Sequence, residues 1–216
     1  MAMPQERPAV GYIAVEGLIG AGKTTLCRRL ADRWQGRLVL EEFEDNPFLP
    51  RFYEQPERYA FSVELSFLAQ RFHQLKRIGE QSLFEAVTVA DYSIGKSLVF
   101  ARVTLPPDEY ALFMDLYSIM YAGLPKPDLL AYLHLPLDRV RARIQQRGRS
   151  YEQQIPSDYL LKLQDGYLDH LQKSGGRTTL VVDIGNADLL QDADAYEELV
   201  RLLRRPHDPG FQIMRL

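Results

Sequence analysis

The sequence predicts an α/β fold, a five-stranded parallel sheet with helices on both faces. Two observations carry this. Short apolar runs alternate with helical periods along the chain, and a glycine-rich turn joins the first run to the first helix. The first strand is expected over Gly11–Glu16, around the apolar run Tyr12-Ile13-Ala14-Val15. A helix follows near Lys23–Trp34, with Leu26, Leu30 and Trp34 on one face. Arg37–Glu41 reads as the second strand. Pro47, Pro50 and Pro56 then punctuate a loop or broken helical stretch. Phe61–Ile78 has a helical period through Leu65, Leu68, Phe72 and Leu75. Ala86–Asp91, Asp128–His134 and Thr178–Asp183 read as strands three to five. Helices are expected over Asp108–Tyr121, Leu137–Arg147, Pro156–Lys173 and Asp192–Arg204. Residues 1–10 read as a short tail, 11–205 as one domain, and 206–216 as a C-terminal tail with no assigned element.

Composition removes several classes of function. A net charge of −3 gives no global basic field for nucleic acid, so any positive charge that matters must be local. The single cysteine, Cys27, rules out an internal disulfide and reads as a small packing residue. His73, His134, His170 and His207 are scattered without zinc-ligand spacing. No stretch approaches the ~18 apolar residues of a membrane span, and the N-terminus has no apolar leader core. A cytoplasmic protein without membrane or nucleic-acid partners is expected.

The glycine-rich turn is Gly17-Leu18-Ile19-Gly20-Ala21-Gly22-Lys23-Thr24, the pattern G-x-x-x-x-G-K-[ST] between a strand and a helix. Gly17, Gly20 and Gly22 let backbone N–H groups point inward around phosphate oxygens. The helix that follows adds its positive end. Lys23 is placed to reach the terminal phosphates, and the Thr24 hydroxyl, with Thr25 beside it, to help hold Mg²⁺. A bound nucleoside triphosphate is expected.

In a parallel sheet the carboxyl ends of strands one, two and three converge on one crevice. They bring Glu16–Thr25, Glu41–Glu44 and Asp91–Ser93 together. Carboxylates beside a triphosphate repel it unless a metal ion or a proton task offsets the cost. Glu41, Glu42, Glu44 and Asp45 therefore form a candidate group for metal placement or for accepting a hydroxyl proton; singly, each also suits a solvated loop. A second cluster holds Arg139, Arg141, Arg143, Arg147 and Arg149. Arg139, Arg143 and Arg147 repeat along one helical face, and Arg147-Gly148-Arg149 breaks the helix. Such a stripe suits a lid whose planar guanidinium forks clamp phosphates on closure, or a solvent-facing basic helix.

Taken in order, these motifs resemble the deoxyribonucleoside kinases, particularly the bacterial deoxyadenosine/deoxyguanosine kinase branch, from about Ile13 to about Leu203. Glu16-Gly17 with Gly22-Lys23-Thr24 is similar to the family P-loop. The segment Leu40 to Phe48 resembles the one carrying the catalytic base, and Phe52 to Tyr59 the sugar-contacting stretch. Arg143 to Glu152 resembles the arginine-rich lid. The resemblance implies a P-loop kinase fold, ATP as phosphate donor, Mg²⁺ as cofactor and a homodimer. It implies that Glu41 deprotonates the sugar 5′-hydroxyl, with Glu42 as fallback, and that Tyr53 and Glu152 hold the 3′-hydroxyl. By the same resemblance Arg71 reads the nucleobase, Asp91 helps place Mg²⁺, and Arg143, Arg147 and Arg149 surround the triphosphate.

The chain departs from the family pattern at three places. The usual acidic-Arg-Ser triplet is here Asp91-Tyr92-Ser93, leaving Lys96 or a lid arginine to substitute. The base-reading glutamine falls at Glu64, which when ionised only accepts hydrogen bonds and so suits guanine N1–H and N2–H better than adenine N1. If Glu64 instead lay on the helix surface, it would read nothing. The base-reading aspartate is replaced by Lys96 or Ser97. The resemblance thus implies phosphorylation of a deoxyribonucleoside, purine rather than pyrimidine, in nucleotide salvage. Two alternatives remain at this stage: a nucleoside monophosphate kinase of the thymidylate kinase type, and a catalytically silent nucleotide-binding subunit. A GTPase switch lacks its guanine-reading N-K-x-D motif.

Overall fold

A computed structural model describes residues 7–43, 46–81 and 87–216. Expected site positions Glu44 and Asp45, and the strand start at Ala86, lie outside the described residues. The elements begin with β1 (Tyr12–Gly17), α1 (Lys23–Trp34), β2 (Arg37–Val39), α2 (Leu49–Glu54), α3 (Pro56–Gln81) and β3 (Thr88–Ala90). They continue with α4 (Lys96–Thr104), α5 (Pro107–Tyr121), β4 (Leu129–His134), α6 (Leu137–Arg147) and α7 (Ser157–Lys173). β5 (Thr178–Asp183), α8 (Ala193–Arg204) and β6 (Gly210–Arg215) complete the order.

All described strand pairs are parallel, in the order β2-β3-β1-β4-β5-β6. β1 is central because its side chains alternate between two apolar layers. Ile13 and Val15 face the layer with α1, α7 and α8, whereas Tyr12 and Ala14 face the layer with α3 and α5. The chain leaves β1 towards β2 and β3 on one side and crosses to β4 on the other. The crevice outside the end of β1 is therefore the topological switch point of the sheet.

Three features differ from the sequence expectation. The sheet has six strands, because residues 210–215, expected within a C-terminal tail, pair with β5. This edge strand is only half covered, with Ile213 67% exposed, so it lacks the apolar run that marks a buried strand. Helix α4 was not expected at all. It buries Lys96, Ser97, Val99 and Ala101 between α3 and α7, and a helix covered on several sides shows no amphipathic period. Helix α3 begins at Pro56, five residues ahead of its apolar stripe, since proline is tolerated in a first turn. No helix of the described residues is long and apolar enough to cross a membrane.

The approach to β2 is tightly fixed. Gly36 N–H caps α1 by donating to Ala31 O at 2.9 Å, and Arg37 N–H donates to Val87 O at 2.8 Å. A Cβ on Gly36 would lie 2.6 Å from Val87 Cγ1 and 2.7 Å from Val87 O. Gly36→Ala should cost roughly 1–3 kcal/mol of stability as this backbone is forced apart. Urea unfolding of the two proteins measures it, and equal midpoints would show that the entry to β2 yields freely.

Candidate active site

The turn after β1 takes its shape from glycine. Gly22, the N-cap of α1, has φ 87°, a conformation strained for residues with a Cβ. Lys23 folds back over this loop, its Nζ donating to the carbonyls of Gly17 and Leu18 at 2.9 Å each. Gly20, Gly22, Lys23, Thr24 and Thr25 line a cavity of about 760 Å³ at the switch point. Glu41, Glu42, Arg143, Arg147 and Arg149 line the same cavity. Residues as far apart in sequence as Gly20 and Arg149 are thus brought to one site. Gly17 contributes its carbonyl rather than lining.

Asp91, just past β3, ties three strand ends together. Its Oδ2 accepts from Thr24 Oγ1 at 2.5 Å and its Oδ1 from Glu41 N–H at 2.7 Å. The Thr24 and Asp91 oxygens are hard donors of the kind that fit Mg²⁺. Among the described residues there is no cluster of three or more His, Cys, Asp or Glu suited to a metal.

Glu41 lies beyond the end of β2, held by two cations. Arg71, on α3, donates from Nε at 2.8 Å and from Nη2 at 2.6 Å, both to Oε1, and from Nη1 to Ser97 Oγ at 2.7 Å. Lys96 Nζ donates to Oε2. Burial raises the Glu41 pKa, but Lys96 and Arg71 together outweigh it and hold the carboxyl down to about 2. Glu16, at the end of β1, accepts from Ser93 N–H at 2.7 Å, Ser93 Oγ at 2.9 Å and Tyr167 OH at 3.1 Å. Its burial pushes its pKa up in spite of Lys96 and these bonds.

A second cavity, of about 710 Å³, opens beside α2 and is lined by Tyr53, Thr104, Tyr151 and Tyr159 among others. Tyr53 stacks on Tyr151 with ring centres 5.8 Å apart. Next to Tyr151, buried Glu152 pairs with Arg147 and, at 3.3 Å, with Arg149. Glu64 is buried rather than on the surface of α3. Its Oε1 accepts a long bond from Thr104 Oγ1 at 3.4 Å, and its Oε2 has no hydrogen-bond partner among the described residues. Burial raises its pKa to about 7, against the lowering effect of Arg71 and Lys96.

With this geometry in place, comparison with known proteins decides the family. The family profile described as deoxynucleoside kinase matches residues 13–205. The chain belongs to the deoxynucleoside kinase family. Among the relatives of this kinase, the deoxyguanosine kinase of Bacillus subtilis (strain 168) is 34% identical over 193 residues, covering 87% of this chain and 93% of that protein. The deoxyadenosine/deoxycytidine kinase of the same strain is 33% identical over 201 residues, covering 89% and 91%. A solved structure of deoxyadenosine kinase from M. mycoides, with products dCMP and a flexible dCDP bound, has a TM-score of 0.75 at 23% identity, covering 88% of this chain and 97% of that one. It supports the fold.

In this kinase the expected residues do not all sit as a lone reading of each would suggest. Of the arginine stripe on α6, Arg143 and Arg147 reach the first cavity, whereas Arg139 donates to Gly185 O at 3.2 Å. Arg143 donates to Ala21 O at 3.1 Å, bracing the P-loop. Arg71, expected at the base, is engaged with Glu41 and Ser97. Glu16 was placed at the crevice by the sequence, with the P-loop, but given no role of its own. Tyr167 was not singled out, since it is one apolar-face residue of α7 among several and carries no signal.

Because its pKa is raised above the usual carboxylate range, Glu64 weakens the fold as it ionises. The folded state holds this proton up to about pH 7 while the unfolded chain releases it near 4.5. Stability therefore falls as pH rises between these values, by at most about 3 kcal/mol from this group. Glu64→Gln has no such group, so its melting temperature relative to wild type should rise from pH 5 to pH 8. A pH-independent difference would contradict this environment for Glu64.

Proposed function

We propose that this kinase transfers the γ-phosphoryl group of ATP to the 5′-hydroxyl of a purine deoxynucleoside, deoxyguanosine ahead of deoxyadenosine. The observation that carries the reading is Glu41, an ionised carboxylate held between Arg71 and Lys96 on the wall of the cavity lined by Lys23. The triphosphate lies in that cavity on the P-loop, with the lid arginines Arg143, Arg147 and Arg149 around it. The deoxynucleoside lies towards Tyr53, Glu152 and Glu64. Thr24 and Asp91 hold Mg²⁺, which when bound neutralises charge on the phosphates. Glu41 accepts the 5′-hydroxyl proton, and the freed oxygen attacks phosphorus in line with the departing ADP oxygen. Lys23 and the arginines meet the charge on the transferring group, while closure of α6 and the following turn excludes water.

Base choice rests on Glu64. With its pKa raised to about 7, Glu64 accepts from guanine N1–H and N2–H once ionised, whereas its protonated form can donate to adenine N1, so the preference for guanine strengthens as pH rises through 7. The relatives include a deoxyguanosine kinase and a deoxyadenosine/deoxycytidine kinase, so base choice differs within the family. We further propose a homodimer formed through α5, where Leu112 and Ile119 are 52% and 76% exposed.

A coupled ADP-release assay with Mg·ATP, against deoxynucleosides and their monophosphates, tests the reading. Turnover with deoxyguanosine supports it, turnover only with a monophosphate moves the chain to another kinase class, and silence throughout fits a binding subunit. Glu41→Gln should lower turnover at least ~10²-fold with little change in ATP affinity; normal turnover would remove Glu41 from its role. Glu64→Gln should shift the deoxyguanosine-to-deoxyadenosine ratio of kcat/KM at least ~10-fold towards deoxyadenosine. An unchanged ratio would mean that Glu64 does not read the base.

A further inference from the structure

The departure at Tyr92 raises the question of which group supplies positive charge to the acceptor side of the reaction. Tyr92 does not point at the phosphates. Its ring is fully buried in the layer with α3 and α5, and its hydroxyl donates to Gln74 Oε1 at 2.8 Å. Gln74 Nε2 in turn donates to Leu40 O at 3.0 Å, bracing the backbone immediately before Glu41. Tyr92 thus fixes where Glu41 starts but brings no charge.

The two cations on Glu41 are bound differently. Arg71 holds one oxygen with two nitrogens and is anchored by its third to Ser97, so moving it breaks three bonds. Lys96 has Oε2 to itself and makes a single contact there, on a flexible stem whose ammonium lies 5.4 Å from the Phe100 ring centre. Its side chain is 10% exposed. An attacking hydroxyl must reach a Glu41 oxygen to lose its proton, and Oε1 is occupied twice. Oε2 is the oxygen that can be vacated, by Lys96.

Resting on the proposed phosphoryl transfer, we infer that Lys96 is the exchangeable cation of the site. It holds Glu41 Oε2 before substrate binds, yields it to the 5′-hydroxyl, and turns its ammonium to the transferring phosphoryl group. The 5′-hydroxyl proton passes to Glu41 Oε2 as the O5′–Pγ bond forms. The bond from Pγ to the bridging oxygen breaks, its electron pair leaving with ADP. Lys96 stays protonated throughout and gives up no proton. Charge moves off Glu41 towards the phosphoryl oxygens, and Lys96 follows it, so the lysine interacts more strongly in the transition state than an equally placed neutral group. Arg71 remains on Oε1 and keeps the carboxyl oriented.

The test uses the full chain in the ADP-release assay with deoxyguanosine, with ATP binding followed separately by fluorescence of a labelled ATP. Lys96→Met should lose at least ~10² in kcat, the usual cost of removing one transition-state donor. KM for deoxyguanosine and ATP affinity should change by less than about threefold. Lys96→Arg, which keeps the charge, should recover to within about tenfold of wild type. Lys96→Gln is a second neutral variant should the methionine protein fail to fold, and melting curves check all three. A neutral variant with near-wild-type kcat overturns the assignment, as does an arginine variant no better than the neutral ones, which would mark a packing role. A loss confined to KM also overturns it. Silence of the wild-type enzyme towards every deoxynucleoside overturns the proposed function and this inference together, whereas wild-type turnover with an unimpaired Lys96→Met overturns the inference alone.

Discussion

The site depends on the carboxylate of Asp91. It is buried at the end of β3, and its two oxygens reach to the helix that follows β1 and to the backbone that follows β2. Three strand ends, delivered separately by the sheet, are locked into one geometry by a single side chain. A buried carboxylate is tolerated only if its oxygens are satisfied, so the same need that makes Asp91 costly makes it an organiser. It holds the Thr24 hydroxyl of the P-loop with one oxygen and the Glu41 backbone N–H with the other. Whatever sits on the P-loop is thereby at a fixed distance from Glu41.

The other carboxylates show how environment assigns different states to one functional group. Glu41 meets Lys96 and Arg71 at close range and is held at about 2 although burial opposes it. Glu64, one helical stretch away on the same α3 as Arg71, has no such direct partner, and burial raises it to about 7. Glu16 receives hydroxyl and amide donors, and burial still wins. The deciding variable is direct contact with a cation, since loss of solvent pushes all three upward. Such pairs add little net stability, because the desolvation of both charges offsets their attraction. What they supply is a fixed geometry, with the Glu41 carboxylate held between Arg71 and Lys96 at the cavity wall.

Much of this was legible in the chain, and what was not has physical reasons. The P-loop, the α6 arginines and five of the strands carry local signals: glycine spacing, a helical charge period and apolar runs at sheet positions. Tyr53 and Glu152 were placed by resemblance, and their shared neighbour Tyr151 brings them together through a ring stack that no spacing encodes. Helix α4 was invisible because burial on several sides removes the amphipathic period, and β6 because an edge strand needs no apolar run. The grip of Lys96 and Arg71 on Glu41 was equally hidden. It joins residues 55 and 30 positions from Glu41, on two helices, and only tertiary packing sets that distance. A lysine in a helix is ordinarily solvated; nothing in its neighbours along the chain says that this one is buried.

The two cavities are not independent, because one short segment walls both. Arg147 and Arg149 line the first, Ser150, Tyr151 and Gln154 the second, and Glu152 between them is paired to both arginines. An anion that draws Arg147 or Arg149 towards the P-loop removes a partner from Glu152, which then has acceptor capacity to offer on the other side. A hydroxyl that takes that capacity in turn weakens the hold of Glu152 on the arginines. Linkage requires these effects to be equal in free energy, whichever ligand arrives first. Gly148, at φ 72°, ends α6 and turns the chain into the segment that carries Arg149 and Glu152. Specificity for two ligands and exclusion of water from between them can therefore follow from the placement of one buried glutamate.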